Sequence, residues 1–399
     1  MDQPLAARAT RAIRATAGPP PAPDATRAPR ARIRQRGRSM LFGLLAAAAL
    51  IGLIAFGSRG FHWFDAALIG YAVATVFSVA AITYKYTFWL ARPQTGRYFW
   101  RSWQLFFSYE NFRRYTTLIP SAIVSGLLAQ WFISRRSVYR WVTHQCLFWG
   151  VVLSCAITFP LTFGWLRFTQ APGRFYQMWV FGFPLFVFDP ASAFGFAVIH
   201  ALDFTAILLL IGVVLAFRRH FRDLALIAVQ RFRFDMVPLA LLMAIVVTGL
   251  ALTADSAFLG GSYYWFISLT HQAIVVLWLI SLPFGKFFHI IERPATVGIE
   301  LYWRTGADTT AHTCPRCGKA FLPARFVHDL KRTLAAIDEN YAVRDLPRDA
   351  ATTALATAQA TAPTPDEQVW WQDFCPECKR IMRAEANLAA LGQGGNRFL

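Results

Sequence analysis

The sequence predicts an all-α polytopic membrane protein: a six-span helical bundle, one interfacial helix and a small cytoplasmic C-terminal domain. Three observations lead to this prediction. Of the 399 residues, 56% are hydrophobic and only 16% are charged, whereas a soluble domain carries about 25% charged residues. The apolar residues are concentrated in six stretches long enough to span a bilayer. The polar C-terminal tail contains two Cys-x-x-Cys pairs.

The first element is a basic arm, residues 1–39, with nine Arg, six Pro and only two acidic residues. It has no apolar periodicity, so we predict a disordered cytoplasmic arm. An organelle transit peptide is the other interpretation of such an Arg-rich segment.

Six predicted spans follow the arm. They lie at about 40–57, 66–90, 141–163, 193–217, 237–254 and 265–291. A seventh apolar stretch, 118–133, is short and contains Pro120 and several polar residues.

Loop charges set the topology. Suppose that the N-terminus is cytoplasmic and that 118–133 does not cross the membrane. The inner loops 91–117, 134–140 and 217–235 then hold five, three and five Lys or Arg residues. The outer loops hold one, two and none. This distribution obeys the positive-inside rule, so 118–133 is predicted to be interfacial or re-entrant. The net charge of +18 thus reflects loops of a cell (inner) membrane protein with both termini cytoplasmic, and we expect no nucleic-acid partner.

The topology divides the chain into four regions. After the arm come a transmembrane pair with the interfacial helix, 40–134, and a four-helix core, 135–291. Residues 292–399 form the cytoplasmic domain, with a flexible Ala/Thr/Pro-rich insert at about 349–367.

Four histidines lie within predicted spans, where ionisable residues are costly and usually functional. His271 and His289 are eighteen residues apart on one predicted helix, which places them about 27 Å apart on the same face. The topology puts His144 and His289 near the inner surface, and His200 and His271 near the outer surface. For any single histidine, the alternative is a polar residue satisfied by a helix–helix hydrogen bond.

Two histidine pairs at two levels predict two bis-histidine b haems in the bundle core. If 118–133 spanned the membrane, the pairs would instead be His144 with His271 and His200 with His289.

The motifs around these histidines resemble a known group of proteins. The segment THQAIVVLWLISLPFGKFFHIIERP resembles the last transmembrane helix of the respiratory nitrate reductase gamma subunit, and still more that of heterodisulfide reductase membrane subunits. WVTHQCLFWG resembles a helix start of the same group. The resemblance covers about 135–305 and implies haem b ligation by His144, His271 and His289. The gamma subunit has two histidines ten apart on an early helix, but here that position is Ser154. His200 is the remaining intramembrane candidate for the fourth ligand.

Four further polar residues lie near the predicted haem levels. Asp203, one turn after His200, is a candidate proton acceptor for a quinol, or an acid stabilised by the helix dipole. Lys286 could contact a haem propionate, or simply snorkel to the interface. Arg167 and Arg174, in the aromatic outer loop 164–192, are candidate propionate partners of the outer haem.

The cysteine pairs predict a metal site. Cys314 with Cys317, and Cys375 with Cys378, have the spacing of zinc-ribbon knuckles, and four thiolates satisfy a tetrahedral Zn²⁺. A rubredoxin-like iron site uses the same four ligands. Such a site, rather than disulfides, indicates a reducing compartment.

Together these features predict a dihaem cytochrome b subunit of a respiratory oxidoreductase complex in the lipid bilayer. It would pass electrons between the membrane quinone pool and a cytoplasmic iron–sulfur subunit. The sequence has no flavin, molybdopterin or iron–sulfur motif, so substrate catalysis would belong to a further, catalytic subunit of heterodisulfide-reductase or molybdoenzyme type. The alternatives are a proton- or metal-handling transporter and a haem-free membrane anchor for a soluble enzyme.

Overall fold

The structure, a computed structural model, describes residues 27–108, 112–113, 116, 118–307, 310–339, 341–343 and 368–390. Its α-helices are α1 Arg27–Gly57, α2 Ile69–Leu90, α3 Pro93–Phe106, α4 Leu118–Ala122, α5 Trp131–Ser134, α6 Val138–Thr162, α7 Ala193–Ile199, α8 Ala201–Arg222, α9 Leu224–Ile227, α10 Val237–Phe258, α11 Tyr264–Ser281, α12 His289–Ala307, α13 Ala324–Ala335 and α14 Pro376–Ala390. Its strands are β1 Leu166–Gln170, β2 Tyr176–Val180, β3 Phe183–Phe188, β4 Ala311–Thr313 and β5 Ala320–Pro323.

Six helices in the described part of the chain are long and apolar enough to cross a membrane. They are Ile33–Gly57, Ala66–Leu90, Val138–Thr162, Ala201–Arg222, Phe232–Phe258 and Tyr264–Ser281. The prediction of a multi-pass helical membrane protein is therefore confirmed. Residues 118–133 are not among these six. They form α4, a π-helical turn and α5.

The chain folds as two compact units. The first, which we call the membrane unit, comprises Arg36–Phe88 and Thr117–Val297. The second, which we call the C-terminal unit, comprises Gly298–Leu399 together with Met1–Gln35 and Trp89–Thr116. The predicted region 40–134 therefore contributes part of its length to each unit.

Helices α6 and α8 pack closely in the membrane unit because small residues line their contact. A Cβ on Gly150 would come within 2.7 Å of the Cβ of Leu209, and one on Gly212 within 2.7 Å of the backbone nitrogen of Leu147. Residue numbers rise on one helix as they fall on the other, so the two helices are antiparallel. Small residues let membrane helices approach in this way. The core beneath them is formed by Ala74, Leu209, Val213, Leu242, Val246, Trp278 and Leu279.

The predicted helix 265–291 is not continuous, and this expectation was wrong. Helix α11 ends at Ser281, a 3₁₀ turn covers Lys286–Phe288, and α12 begins at His289. Pro283 is the physical reason, because it has no N–H to donate to the carbonyl four residues earlier. That carbonyl, of Leu279, accepts a hydrogen bond from the hydroxyl of Ser78 on α2 instead, and also from Leu282 N at 3.2 Å.

The predicted span 193–217 is also interrupted. Helix α7 ends at Ile199, and His200 caps the start of α8 with φ −93° and ψ 12°. The long helix that crosses the unit therefore starts at Ala201, and His200 lies at its very end.

The predicted outer loop 164–192 contains a three-stranded antiparallel sheet in the order β1-β2-β3. Leu166 pairs with Val180 and Gln170 with Tyr176. The sheet lies between the end of α6 and the start of α7, so we call this the sheet end of the membrane unit. The other end is called the opposite end.

The N-terminal arm was predicted to be disordered, which was wrong for residues 27–39. They are the first part of α1, because Ala and Arg are good helix formers that extend the apolar span. Residues 1–26 lie outside the described part of the chain, as does the predicted insert 349–367.

The C-terminal unit contains helix α3, the end of α12, the β4–β5 hairpin, α13 and α14. The rings of Tyr98 on α3 and Tyr302 on α12 lie 5.3 Å apart, edge to face. Tyr302 donates to the carboxylate of Asp329 on α13 at 2.8 Å. Residues 93–106, predicted to be an inner loop, are thus a packed helix of this unit.

Candidate functional site

Two of the predicted histidines meet at the opposite end of the membrane unit. His144, in the second turn of α6, and His289, the first residue of α12, line a cavity of about 30 Å³ together with Gln130, Phe148 and Arg293. The Nδ1 atom of His144 is buried and has no hydrogen-bond partner within the described residues. A buried nitrogen without a partner is costly, and a ligand is one explanation for it.

His289 is held by the turn that precedes it. Its Nδ1 is hydrogen-bonded to the carbonyl oxygen of Lys286. A carbonyl only accepts, so Nδ1 carries the proton and Nε2 is left with its lone pair. The ammonium of Lys286 forms an ion pair with Asp235. This predicted propionate partner therefore already has a carboxylate beside it.

His271 is oriented by a threonine of the neighbouring helix α10. Its Nδ1 lies 2.9 Å from Oγ1 of Thr248. The Thr248 hydroxyl donates a hydrogen bond to the carbonyl of Ala244 at 2.6 Å, so it accepts a hydrogen bond from the Nδ1–H of His271. Nε2 of His271 is again left with its lone pair.

His200 is oriented by a carboxylate. Its Nδ1 lies 2.8 Å from Oδ2 of Asp203, one turn further along. The other oxygen, Oδ1, accepts a hydrogen bond from Thr253 on α10 at 2.7 Å. Asp203 thus joins His200 to helix α10.

A larger cavity of about 450 Å³ lies inside the helical bundle. Asp203, Thr253 and His271 contribute polar groups to a wall that is otherwise largely apolar. This volume falls within the range of about 300–1,000 Å³ that is usual for small-molecule sites. His200 is not among the residues that line it.

The structure does not bring His200 and His271 to one level. Thr248, beside His271, and Thr253, beside Asp203, are five residues apart on α10, or about 7.5 Å. The His200 ring contacts the same carboxylate, with Nδ1 at 2.8 Å from Oδ2 of Asp203, so it is held at the level of Thr253. The groups that hold the two predicted partner rings are therefore about 7.5 Å apart along the bundle. His144 and His289, by contrast, face one cavity.

The two predicted arginines have other partners. Arg167 places its guanidinium 4.5 Å from the ring centroid of Trp63 and 5.8 Å from that of Trp179. Arg174 forms an ion pair with Asp189. Neither lines the cavities that contain the histidines.

The four histidines differ in how well they fit a haem iron. A histidine that ligates iron through Nε2 usually donates its Nδ1–H to an oxygen atom that fixes the ring, and His200, His271 and His289 all have this arrangement. His144 and His289 supply nitrogen donors of the kind that hold a haem iron and face one cavity. At about 30 Å³ the cavity does not hold a macrocycle as it stands, so a haem requires that side chains such as Phe148 move apart. His200 and His271 do not fit as axial ligands of one iron, because they lie at different depths.

The four tail cysteines converge in the C-terminal unit. Their sulfur atoms all lie within 4.8 Å of one another, and the Sγ atoms of Cys317 and Cys375 are 3.7 Å apart. A tetrahedron with bonds of about 2.3 Å to a metal has edges of about 3.8 Å. The residues therefore form a site that could bind a metal ion.

Local backbone structure positions each pair. Cys314 and Cys317 lie in the turn of the β4–β5 hairpin, which Gly318 closes with φ +68°, a conformation that favours glycine. Cys375 precedes the first residue of α14, and its Sγ accepts from the backbone N–H of Cys378 at 3.4 Å. Burial alone would raise the pKa of the Cys314 thiol, but hydrogen bonds from the backbone of Cys375, Cys317 and Arg316 lower it to about 6.

A buried ion-pair network holds the two cysteine pairs together. Asp373, two residues before Cys375, lies 3.0 Å from the ammonium of Lys331 on α13 and 3.2 Å from Nε2 of His312 on β4. It also accepts from the backbone N–H of Trp370 at 2.6 Å. His312 thus contacts Asp373 and is not one of the four sulfur ligands.

Sequence reasoning missed the groups that contact His271, Asp203 and Lys286. Thr248, Thr253 and Asp235 come from other helices, and no local pattern connects them with their partners. An intramembrane threonine or carboxylate is itself a weak signal of such a role.

Fold and site together define a multi-pass helical membrane protein with a four-cysteine cluster in its C-terminal unit. The chain matches no protein-family profile, no curated protein and no solved structure.

Proposed function

We propose that this chain is a haem b membrane subunit of a respiratory oxidoreductase complex. The observation that supports it best is the site of His144 and His289, two imidazoles from different helices that face one cavity. In this proposal the two imidazoles would hold a b haem, and Arg293 on the same cavity wall would pair with one of its propionates. Such a haem supplies reversible one-electron transfer when bound.

The larger cavity is the proposed place of exchange with the membrane quinone. Asp203 lines it beside His271, and we propose that this carboxylate accepts a proton from a quinol. Its two oxygen atoms already accept from His200 and Thr253, which holds the carboxylate in place. Since His200 and His271 do not fit one iron, this proposal contains a single haem.

The remaining assignments follow from the sequence. The Lys/Arg distribution supports a cell (inner) membrane protein with both termini cytoplasmic. Electrons would pass to or from a cytoplasmic iron–sulfur subunit, and a further subunit would carry the substrate chemistry. The four-cysteine site would hold Zn²⁺, because its sulfur separations suit a tetrahedral ion. Structural zinc would then make the C-terminal unit a docking platform for these partners.

A proton- or metal-handling transporter is the second candidate function. It is favoured by the polar groups of the 450 Å³ cavity, where one histidine and one carboxylate are present without a second histidine. This candidate binds no haem.

A dithionite-reduced minus oxidised spectrum of the purified protein separates the two. We expect b-type bands, and a pyridine haemochrome assay that gives a haem which disappears in both His144→Ala and His289→Ala. His62→Ala, at an exposed histidine outside the spans, is the matched control and should keep it. A colourless protein, or bands that survive both substitutions, would overturn the proposal.

A further inference from the structure

The three-stranded sheet lies across the sheet end of the membrane unit instead of projecting from it. Arg59, in the loop that follows α1, donates a hydrogen bond at 3.0 Å to the carbonyl of Gly182, beside the start of β3. Trp165 donates to the carbonyl of Leu53 within α1 at 3.1 Å. Beside the other end of β3, the ring of Phe188 lies 5.9 Å from that of Phe194 on α7. Both ends of β3 are therefore fastened near the ends of helices.

The links to the spans are equally short. Three residues separate the end of α6 from β1, and four separate β3 from α7. At about 3.3–3.6 Å per residue, neither link can carry the sheet more than about 15 Å away from the helix ends. The sheet must remain close to the level at which the spans end.

The charged side chains of this segment are not on β3. Arg167, on the opposite edge strand β1, stacks on Trp63 and Trp179. Arg174 pairs with Asp189 outside the strands. The sequence of β3 is Phe-Pro-Leu-Phe-Val-Phe and contains no polar side chain.

Strand β3 is also an edge strand, since it pairs only with β2 in the described sheet. Phe183 is 68% exposed, Leu185 57% and Val187 52%. Contact of such side chains with water costs about 25 cal/mol for each Å² of apolar surface. An exposed apolar edge of this kind requires a partner.

We propose that the β3 edge is seated in the interfacial layer of the bilayer, in contact with phospholipid. The short links place it at that level, and the absence of charge on β3 suits the boundary between headgroups and acyl chains. The hydrocarbon core is excluded because the unpaired backbone groups of an edge strand need water or headgroups as hydrogen-bond partners. Phe183 and Leu185 would anchor the sheet as aromatic and apolar residues do at membrane interfaces.

Photo-crosslinking of the full-length protein tests this inference. p-Benzoylphenylalanine is introduced at Phe183 and, in a second variant, at Leu185, and each protein is reconstituted into phosphatidylethanolamine–phosphatidylglycerol vesicles. Two matched positions calibrate the labelling. Leu277 is 56% exposed on span α11, and Lys319 has a 60% exposed side chain in the C-terminal unit.

After irradiation, intact-protein mass spectrometry should show the mass of one phospholipid added at Phe183 and Leu185, with a yield within about threefold of that at Leu277. Lys319 should show none. Lipid adducts at Leu277 but at neither β3 position would overturn the inference. So would a β3 adduct to a second polypeptide, because the edge would then be a site for strand pairing between proteins.

Discussion

The hydroxyl of Thr248 accepts a hydrogen bond from Nδ1 of His271 at 2.9 Å. Because Thr248 donates its own proton to Ala244, this contact fixes the tautomer of an intramembrane histidine. Asp203 does the same for His200, and the Lys286 carbonyl for His289. These three rings thus donate through Nδ1 and carry their lone pair on Nε2, the atom that could bind a ligand. The spacing of the histidines in the sequence does not reveal this arrangement.

Replacing Thr248 by Val should weaken quinone binding in the 450 Å³ cavity. The change keeps the shape of the side chain but removes the acceptor for Nδ1–H of His271, which lines that cavity, so the ring is no longer held in one orientation. Titration with a quinone analogue, followed by quenching of tryptophan fluorescence, should show a raised Kd. Thr248→Ser keeps the hydroxyl and should titrate like the parent protein. Equal titrations of the Val and Ser variants would show that the orientation of His271 does not matter for quinone binding.

Ser78 should stabilise the break between α11 and α12. Ser78→Ala leaves the Leu279 carbonyl with only the 3.2 Å bond from Leu282 N, and we expect a loss of about 1 kcal/mol of unfolding free energy. Thermal unfolding in detergent should detect the loss. Thr87→Val, which removes a bond within α2 only, should cost less.

A double-mutant cycle tests whether Ser78 replaces the backbone N–H that is missing at Pro283. Pro283→Ala supplies a backbone N–H for the Leu279 carbonyl, so Ser78→Ala should cost less in that background. Equal costs in both backgrounds would mean that Ser78 does not replace the amide missing at Pro283.

The number of spans could be predicted from the sequence, because run length and loop charge depend on local composition alone. The convergence of the four cysteines could be predicted too, since each Cys-x-x-Cys pair shapes its own turn. The break at Pro283 was visible in the sequence, but membrane helices tolerate proline, so the pattern alone does not separate a kink from a helix end. The depth of His200 depends on the break before α8, and Thr248 and Thr253 reach their partners only through helix packing.

Removal of any one cysteine should release the metal of the C-terminal unit. Elemental analysis of the purified chain should find about one zinc, and Cys375→Ser should reduce it to near zero because three thiolates hold the ion far less tightly. Cys146→Ser, in span α6, is the control and should retain the metal. Full metal content in Cys375→Ser would refute the site, and a coloured iron centre would identify a redox metal in place of zinc.

Loss of the metal should also loosen the unit around it. Chelation should speed hydrogen exchange in the β4–β5 hairpin and the start of α14, which the cysteines join. Helix α6 of the membrane unit should be unaffected. Unchanged exchange in the hairpin would show that the Asp373 network alone holds these elements together.

The Tyr302–Asp329 pair should make the C-terminal unit sensitive to alkali. Burial, and then the hydrogen bond to Asp329, raise the pKa of Tyr302. A pKa that is raised in the folded state stabilises the fold at pH values below the unfolded pKa of about 10, and this stabilisation is lost as the pH rises further. Tyr302→Phe removes a bond to a carboxylate worth about 1.5–3 kcal/mol. Hydrogen exchange of α13 should therefore be faster in this variant near neutral pH, and should rise less steeply above about pH 10. Tyr341→Phe, at an exposed tyrosine, should match the parent protein at every pH. An alkaline rise that persists in Tyr302→Phe would assign the sensitivity to another group.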